Sequence, residues 1–485
     1  MVVGAGCAGT LTAVNLLRRG GGPLRVVLVE RGDSFGPGVA YSTADPRHLL
    51  NVAAERMSAF PDEPGHFAAW AAERVGPLPA GAYLPRGLFG AYLRELLADA
   101  ERAPAPGRCL ERIRGEVVDV VPDASGRARA GSGAAAVGGA AAAGGAAAAY
   151  GAGAGRAPSP GRATVVLADG RRIAADAIVL ALGSLPGAAP VALPDDPRVV
   201  ADPWAPGGLA PGPGVAGAPA GGTTLLVGSG LTAVDVAVSC CGADARGRVV
   251  AISRGGCLPF DQLPGLRPPA PADPPAHLPA TVAALERWLA VHVARARRAG
   301  HDWRDAVDGV RPHVAALWRG LPVAEQRRFL RERARAWELR RHRMAPEVGA
   351  RVRELLDAGR LLVRAGRVLA VRALPGTLET LVDDCGEVRT LRSDRVVLCA
   401  GAGTDVARAR SPLLQALLRR GLAVPDPHAL GLRATADGAL VGRTGAADPR
   451  LRLLGPLRRG ELWETTAVGE IRVQAHALAA ALDAP

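Results

Sequence analysis

VVGAGCAG at residues 2–9 and LLVGSGLTA at residues 225–233 each end a short apolar run, and each opens an apolar stretch of helical composition, LTAVNLLRR and TAVDVAVSCC respectively. A G-x-G-x-x-G/A turn between strand and helix is the phosphate-binding element of a dinucleotide-binding βαβ unit. Gly4 and Gly228 permit the tight turn, Gly6 and Gly230 let the backbone approach a pyrophosphate, and Gly9 and Ala233 keep each helix close to its strand. Ser229 lies inside the second turn and counts among its cofactor-binding residues. The phosphates would rest on unpaired amides at the positive end of a helix dipole, so no charged side chain is needed there.

The second strand of each unit tells the two apart. RVVLVE ends at Glu30, and a carboxylate at that offset accepts both hydroxyls of an adenosine ribose. RVVAIS ends at Ser253 and is succeeded by Arg254, a basic side chain suited to a ribose 2'-phosphate, with Ser253 as a second donor. A solvated loop arginine is the other reading of Arg254. FAD in the first unit and NADPH in the second is the pairing expected, with NADH remaining possible. The first strand is short because the sequence starts at Met1, so either that strand is truncated or the true start lies upstream.

The chain has 485 residues, enough for more than one domain, and 48% of them are hydrophobic, as in a globular protein. No stretch is apolar for long enough to span a bilayer, and no basic-then-apolar signal opens the chain; a cytoplasmic protein without a membrane partner is expected. The formal charge is +13, yet all 59 basic residues are arginine and they are scattered among aliphatics. With only four tyrosines and six phenylalanines there is no basic stripe interleaved with aromatics, so nucleic acid is not an expected partner. The seven cysteines show neither CxxC nor metal-ligand spacing, so no metal site is expected and the thiols read as reduced and mostly buried.

Along the chain, an alanine-glycine run at 130–160 separates the strand-like segments RIRGEVVDVV and RATVVLADGRRI, as an inflated hairpin tip would. It reads as flexible and dispensable. ADAIVLALGS at 175–184 and SDRVVLCAGAG at 393–403 each close a nucleotide unit with a return strand after a meander. Residues 279–342 have helical periodicity with Trp288, Trp303, Trp318 and Trp337 among the apolar positions, and admit a cap or an oligomer contact. The expected fold is α/β with two Rossmann-like dinucleotide-binding domains. Residues 1–128, 161–205 and 396–485 form a discontinuous FAD domain, with the low-complexity loop at 129–160. An NAD(P) domain is inserted at 222–395 and itself carries the helical insertion 279–342. A last helix starting near Thr465, after a strand reaching Gly455, would aim its positive end at a flavin.

Four further stretches resemble the bacterial FAD/NAD(P)-binding proteins related to flavin-dependent urate hydroxylases and, more distantly, to the N-hydroxylating and Baeyer-Villiger monooxygenases. They are FGPGVAYSTADPRHLLNVAAERMSAFPDEPGHFAAW at 35–70, YLPRGLFGAYL at 83–93, RHRMAP at 341–346 and GPLRRGELWETTAVGEIRVQ at 455–474. The resemblance runs nearly end to end, apart from the alanine-glycine run. It departs where Gly455 and Pro456 stand in place of a Gly-Asp pair that many flavoproteins carry.

The resemblance implies a flavin-side role for Asn51, against that of a turn cap, and a cofactor-facing Arg86, against a surface salt bridge. It implies an active-site edge at His342 and Arg343, against a helix-terminal basic cluster, and a ring wall at Trp463 with Glu464 as a cap, against packing and helix-start charge. His48 reads as a solvated loop histidine, against a catalytic base. The implied activity is an NAD(P)H-using FAD monooxygenase that hydroxylates a small molecule with molecular oxygen through a flavin hydroperoxide. An NAD(P)H:acceptor reductase and a noncatalytic dinucleotide-binding redox sensor are the alternatives. No acid-base motif stands out, so no catalytic residue is assigned from sequence beyond the candidates Asn51, His342, Arg343 and Trp463.

Overall fold

The computed structural model describes residues 1–123, 162–205, 208, 221–241 and 247–483. The alanine-glycine run at 130–160, and with it the expectation of a flexible tip, lies outside them. Two parallel sheets organise the rest. In the first, Val2–Val3 lies between Leu24–Glu30 and Ile178–Leu180, parallel to both. The sheet extends through Arg108–Arg114 on one side and Ala447–Leu453 on the other, with Ala439–Val441 antiparallel at the edge. In the second, Thr223–Val227 lies between Arg248–Ser253 and Arg395–Leu398, flanked by Leu361–Ala365 and Val199–Val200, all parallel. Each fingerprint therefore leaves a central strand at the point where the connections diverge to the two sides, which is where ligands bind in open α/β sheets.

Apolar runs buried on both faces build these sheets. Val26 to Val29 are all buried, and so are Leu225 to Val227. The first fingerprint helix, Cys7–Arg18, is buried from Ala8 to Leu17 because the helices Arg86–Arg102 and Val468–Asp483 enclose it. An antiparallel meander of three strands attaches to each unit. One comprises Val117–Pro122, Ala163–Leu167 and Arg172–Ala175; the other comprises Arg367–Leu374, Thr377–Asp384 and Glu387–Ser393.

Two boundaries differ from those expected. Val199–Val200, placed with the first unit, pairs with Val396 and Val397 in the second sheet, and Arg395–Leu398 lies wholly in that sheet instead of starting the return to the first. Both are short apolar segments; only their partners, Thr224–Val227 for the longer one, decide the sheet. The last helix also starts later than Thr465, at Val468. The Thr465 side chain is fully buried and donates to the Gly455 carbonyl (3.1 Å), which ties Thr465 to the end of the preceding strand, ahead of the helix.

The insertion forms five helices: Val282–Arg298, Trp303–Val310, Val314–Gly320, Val323–Glu332 and Ala334–Arg341. Side-chain caps at Thr281 and Asp302 start the first two. Its apolar core of Val310, Val314, Trp318, Leu321 and Ala334 includes Trp463 from the C-terminal segment. Trp318 Nε1 donates to the Gly460 carbonyl (2.8 Å) and Arg311 pairs with Glu470. The insertion thus closes onto the first unit from the second.

Candidate dinucleotide sites and the pocket between them

The first turn is held by close backbone approaches. Gly4 has φ +96°, and a Cβ there would strike the Ala181 carbonyl; one on Gly9 would strike the Gly4 carbonyl. Residues 35–38 cross over the turn: Gly36 N donates to the Ala5 carbonyl (2.8 Å), and a Cβ on Gly38 (φ +57°) would come within 2.9 Å of the Gly6 Cα. Glu30 reaches back, accepting from Ala5 N (2.7 Å) through Oε2 and from Gly32 N (3.0 Å) through Oε1. A carboxylate has about four lone-pair sites, so two remain for ribose hydroxyls. No side chain caps the helix at Gly6, which leaves its first amides to a ligand. Beside the turn, burial pushes the Cys7 thiol up to about 12, so it stays protonated and unreactive.

The second turn repeats the plan. Gly228 has φ +124° and its Cβ would strike the Cys399 carbonyl, whereas a Cβ on Gly230 would meet nothing within 4 Å. Ala233 is buried where Gly9 sits in the first unit. Ser229 Oγ donates to the Cys257 carbonyl and pairs with the Ser253 hydroxyl, both at 2.7 Å, which ties the turn to the end of the next strand. Arg254 beyond it is exposed. Arg335 of the insertion reaches the same place, its Nη2 lying 3.3 Å from Ser229 Oγ and the Cys257 carbonyl. Nothing in the local sequence linked Arg335 to a loop about a hundred residues earlier. Cys240 and Cys241, on the second fingerprint helix, are free, and burial raises both thiols.

Between the turns lies a polar junction. Arg86 donates to the Leu49 carbonyl (3.0 Å) and to Asp235 Oδ2 (2.7 Å) on the second fingerprint helix. His48 is 2% exposed, with Nδ1 against Thr43 Oγ1 (2.7 Å) and Nε2 against Ser239 Oγ (2.8 Å), so the reading of His48 as a solvated loop histidine is corrected. Its ring lies under helix Leu231–Cys240, which the sequence could not place against residue 48. From this junction the chain runs through half-buried Asn51 to Val52 and Ala53. These two line a pocket of about 130 Å³ together with Tyr83, Gln262, Arg311 and Arg341.

RHRMAP contributes Arg341 to this pocket and packs its other residues, with the C-terminal segment, behind it. Arg343 is fully buried with its nitrogens spent inside the protein: Nη2 on both Asp308 oxygens (2.7 Å each), Nε on Gln262 Oε1 (2.8 Å) and Nη1 on the Arg340 carbonyl (2.7 Å). Burial lowers the His342 imidazole from its ordinary value, so it is neutral at pH 7. Trp463 has φ +60° and ψ −59°, and Glu464 N donates to the Leu462 carbonyl (2.7 Å): a γ-turn of the strained kind, centred on Trp463. The turn sends the Trp463 ring into the insertion core against Trp318 and Phe329, and sends Glu464 inward, where it accepts from Trp337 Nε1 (3.1 Å). Gly455 (φ +83°) donates from its amide to Gln474 Oε1 (3.3 Å), and Gln474 Nε2 donates to Thr465 Oγ1 (2.9 Å). An apolar cavity of about 330 Å³ on the other side of Trp463 is lined by Trp288, Trp318, Phe329 and Trp337. Among the described residues no cluster of His, Cys, Asp and Glu is arranged to hold a metal, and no helix is long and apolar enough to cross a membrane.

Residues 1–142 match the FAD-NAD(P)-binding family. No curated protein sequence matches the chain. Among solved structures the chain is similar to the reduced form of ornithine hydroxylase from Pseudomonas aeruginosa (TM-score 0.60, 16% identity, 99% of this chain and 98% of that one). It is also similar to L-lysine 6-monooxygenase from Pseudomonas syringae (0.59, 14%, 99% and 98%) and to bacillithiol disulfide reductase from Bacillus cereus (0.51, 14%, 99% and 97%). These identities establish the shared fold, that of flavoproteins with two dinucleotide domains.

Proposed function

We propose that this chain is an FAD-dependent, NAD(P)H-using oxidoreductase that hydroxylates a small molecule with molecular oxygen. The observation that carries the reading is the pair of glycine turns at the switch points of two sheets, joined by a segment that runs from the Asp235 junction into a pocket both units share. Bound FAD would supply the redox chemistry, taking a hydride from the nicotinamide and passing electrons to oxygen. The chain's own residues do the rest. Gly4, Gly6 and Gly9 with Glu30 hold FAD; Gly228, Ser229, Gly230 and Ala233, with Ser253, Arg254 and Arg335, hold the NADPH end.

Asn51, Gly455 and Thr465 position the flavin, and Trp463, packed in the insertion core, fixes the C-terminal segment against the insertion. Two of the fold relatives are an ornithine hydroxylase and a lysine monooxygenase, which favours oxygenation over plain reduction. The absence of a CxxC pair, with Cys240 and Cys241 at the far end of the second fingerprint helix and their thiols raised by burial, disfavours a dithiol reductase.

The test is to reconstitute the purified protein with FAD and supply NADPH under ¹⁸O₂ with a panel of small substrates. Label in an organic product supports the reading. NADPH consumption coupled only to an added electron acceptor makes the protein a reductase, and failure to bind FAD overturns both.

A further inference from the structure

The pocket behind Val52 and Ala53 is lined by five arginines, Arg56, Arg267, Arg304, Arg311 and Arg341, against two aspartates, Asp305 and Asp308. Four of the five have their donors engaged by the protein. Arg56 donates to the Arg267 carbonyl, Arg267 to Asp305, Arg304 to Asp261 and Asp302, and Arg311 to both oxygens of Glu470. Arg341 differs. It is 7% exposed, yet its Nε and Nη2 meet no hydrogen-bond acceptor among the described residues. Its nearest carboxylates are Glu464, 3.5 Å from Nε, and Glu470, 4.0 Å from Nη2. Glu464 accepts from Trp337 through its other oxygen, Oε1, and faces Arg341 through Oε2, while both oxygens of Glu470 accept from Arg311. They hold the guanidinium in place by charge and leave its donors unspent.

A guanidinium presents a planar fork of N–H groups that matches the two oxygens of a carboxylate. A buried donor left without an acceptor is costly, and an occupant of the adjoining cavity that accepts from it removes that cost. Of the remaining walls, Val52, Ala53, Leu263, Leu266 and Pro269 are apolar, and Tyr83 and Gln262 add polar groups. We propose that this pocket binds a small carboxylate, with Arg341 gripping the carboxylate and the organic body lying along Val52 and Ala53. That the occupant is the substrate rests on the function proposed above.

The experiment is isothermal titration of the FAD-reconstituted protein with acetate, succinate and benzoate, each against its amide, and with inorganic phosphate. At least one carboxylate is expected to bind tenfold or more tightly than its amide and than phosphate, with that margin lost in Arg341→Gln and partly restored in Arg341→Lys. Equal affinity within every pair overturns the proposal, and so does phosphate binding as tightly as the best carboxylate. A margin that survives Arg341→Gln overturns the role of Arg341. If Arg341→Gln does not fold, the carboxylate and amide pairs on the unaltered protein and on Arg341→Lys decide. FAD retention is read separately from the flavin absorbance. Absent FAD with a surviving carboxylate margin rejects the proposed function and keeps the pocket; bound FAD without a margin does the reverse.

Discussion

At the scale of single residues the two glycine turns make different demands. Gly9 lies against the Gly4 carbonyl, so Gly9→Ala forces helix Cys7–Arg18 off its strand and is expected to yield protein that holds no FAD and melts well below the parent. Gly230 has an ordinary φ of −85° and open space where its Cβ would go. Gly230→Ala should therefore leave stability within about 0.5 kcal/mol, as for substitutions away from packed features. Its methyl group occupies the space a pyrophosphate needs, and the KM for NADPH is expected to rise about tenfold, a step of roughly 1.4 kcal/mol. Steady-state kinetics beside thermal melting separate the two effects; an unchanged KM would take Gly230 out of the cofactor site. Arg254→Ala is expected to lower kcat/KM for NADPH about tenfold or more while leaving NADH untouched, since charge-assisted hydrogen bonds contribute about 1.5–3 kcal/mol. A constant NADPH to NADH ratio would remove Arg254 from the site and turn attention to Arg335.

At the scale of elements, strand–turn–helix units were readable because glycine positions and apolar runs are local signals. The partners of short strands were not: Val199–Val200 and Arg395–Leu398 are apolar pieces that either sheet could take, and only long-range pairing assigns them. Gly36 and Gly38 stood in plain view within FGPG, and their crossing over the first turn could have been inferred from two glycines so close together. The γ-turn at Trp463 and the reach of Arg335 are tertiary facts with no local signature. The element that joins insertion to C-terminal segment carries a pH dependence. His342 is half-buried beside Glu464, Arg341, Glu338 and Arg459, and desolvation depresses its folded pKa below the ordinary 6.5. The unfolded chain then binds a proton that the folded one refuses, so stability present above about pH 6.5 falls as pH drops through that value toward the folded pKa. His342→Gln is expected to flatten the loss of stability between about pH 7.5 and pH 5.5. Urea melts at the two pH values measure it, and a slope equal to that of the parent would show that His342 is not the titrating group.

For the whole molecule the question is what keeps two nucleotide units in register for hydride transfer. The Arg86–Asp235 pair is the evident tie, since it joins the helix Arg86–Arg102 of the first unit to the fingerprint helix of the second with side chains only 17% and 6% exposed. Burial raises the Asp235 carboxyl above its ordinary value, and Arg86 with His48 opposes the rise. Removing the arginine strands a buried carboxylate, which costs about 3–5 kcal/mol when a buried pair loses one partner. Arg86→Met is therefore expected to be destabilised by that order at neutral pH. Replacing both partners, as Arg86→Met with Asp235→Leu, should recover most of the loss, because no charge is then left buried. The single variant also has a predictable pH response. Without Arg86 the folded pKa of Asp235 rises further above the unfolded value, so the proton is held more tightly by the folded state, and stability is gained as pH falls through the folded pKa and lost as pH rises through it. The gap between parent and Arg86→Met should accordingly narrow as pH is lowered from about 8 toward 5. In the double variant each cofactor should still bind, since neither residue touches the glycine turns, while anaerobic flavin reduction by NADPH slows because the two units lose their common register. Reduction at the parental rate in that variant would mean that the insertion's contact with the C-terminal segment, through Trp318 and Arg311, suffices to hold the halves together.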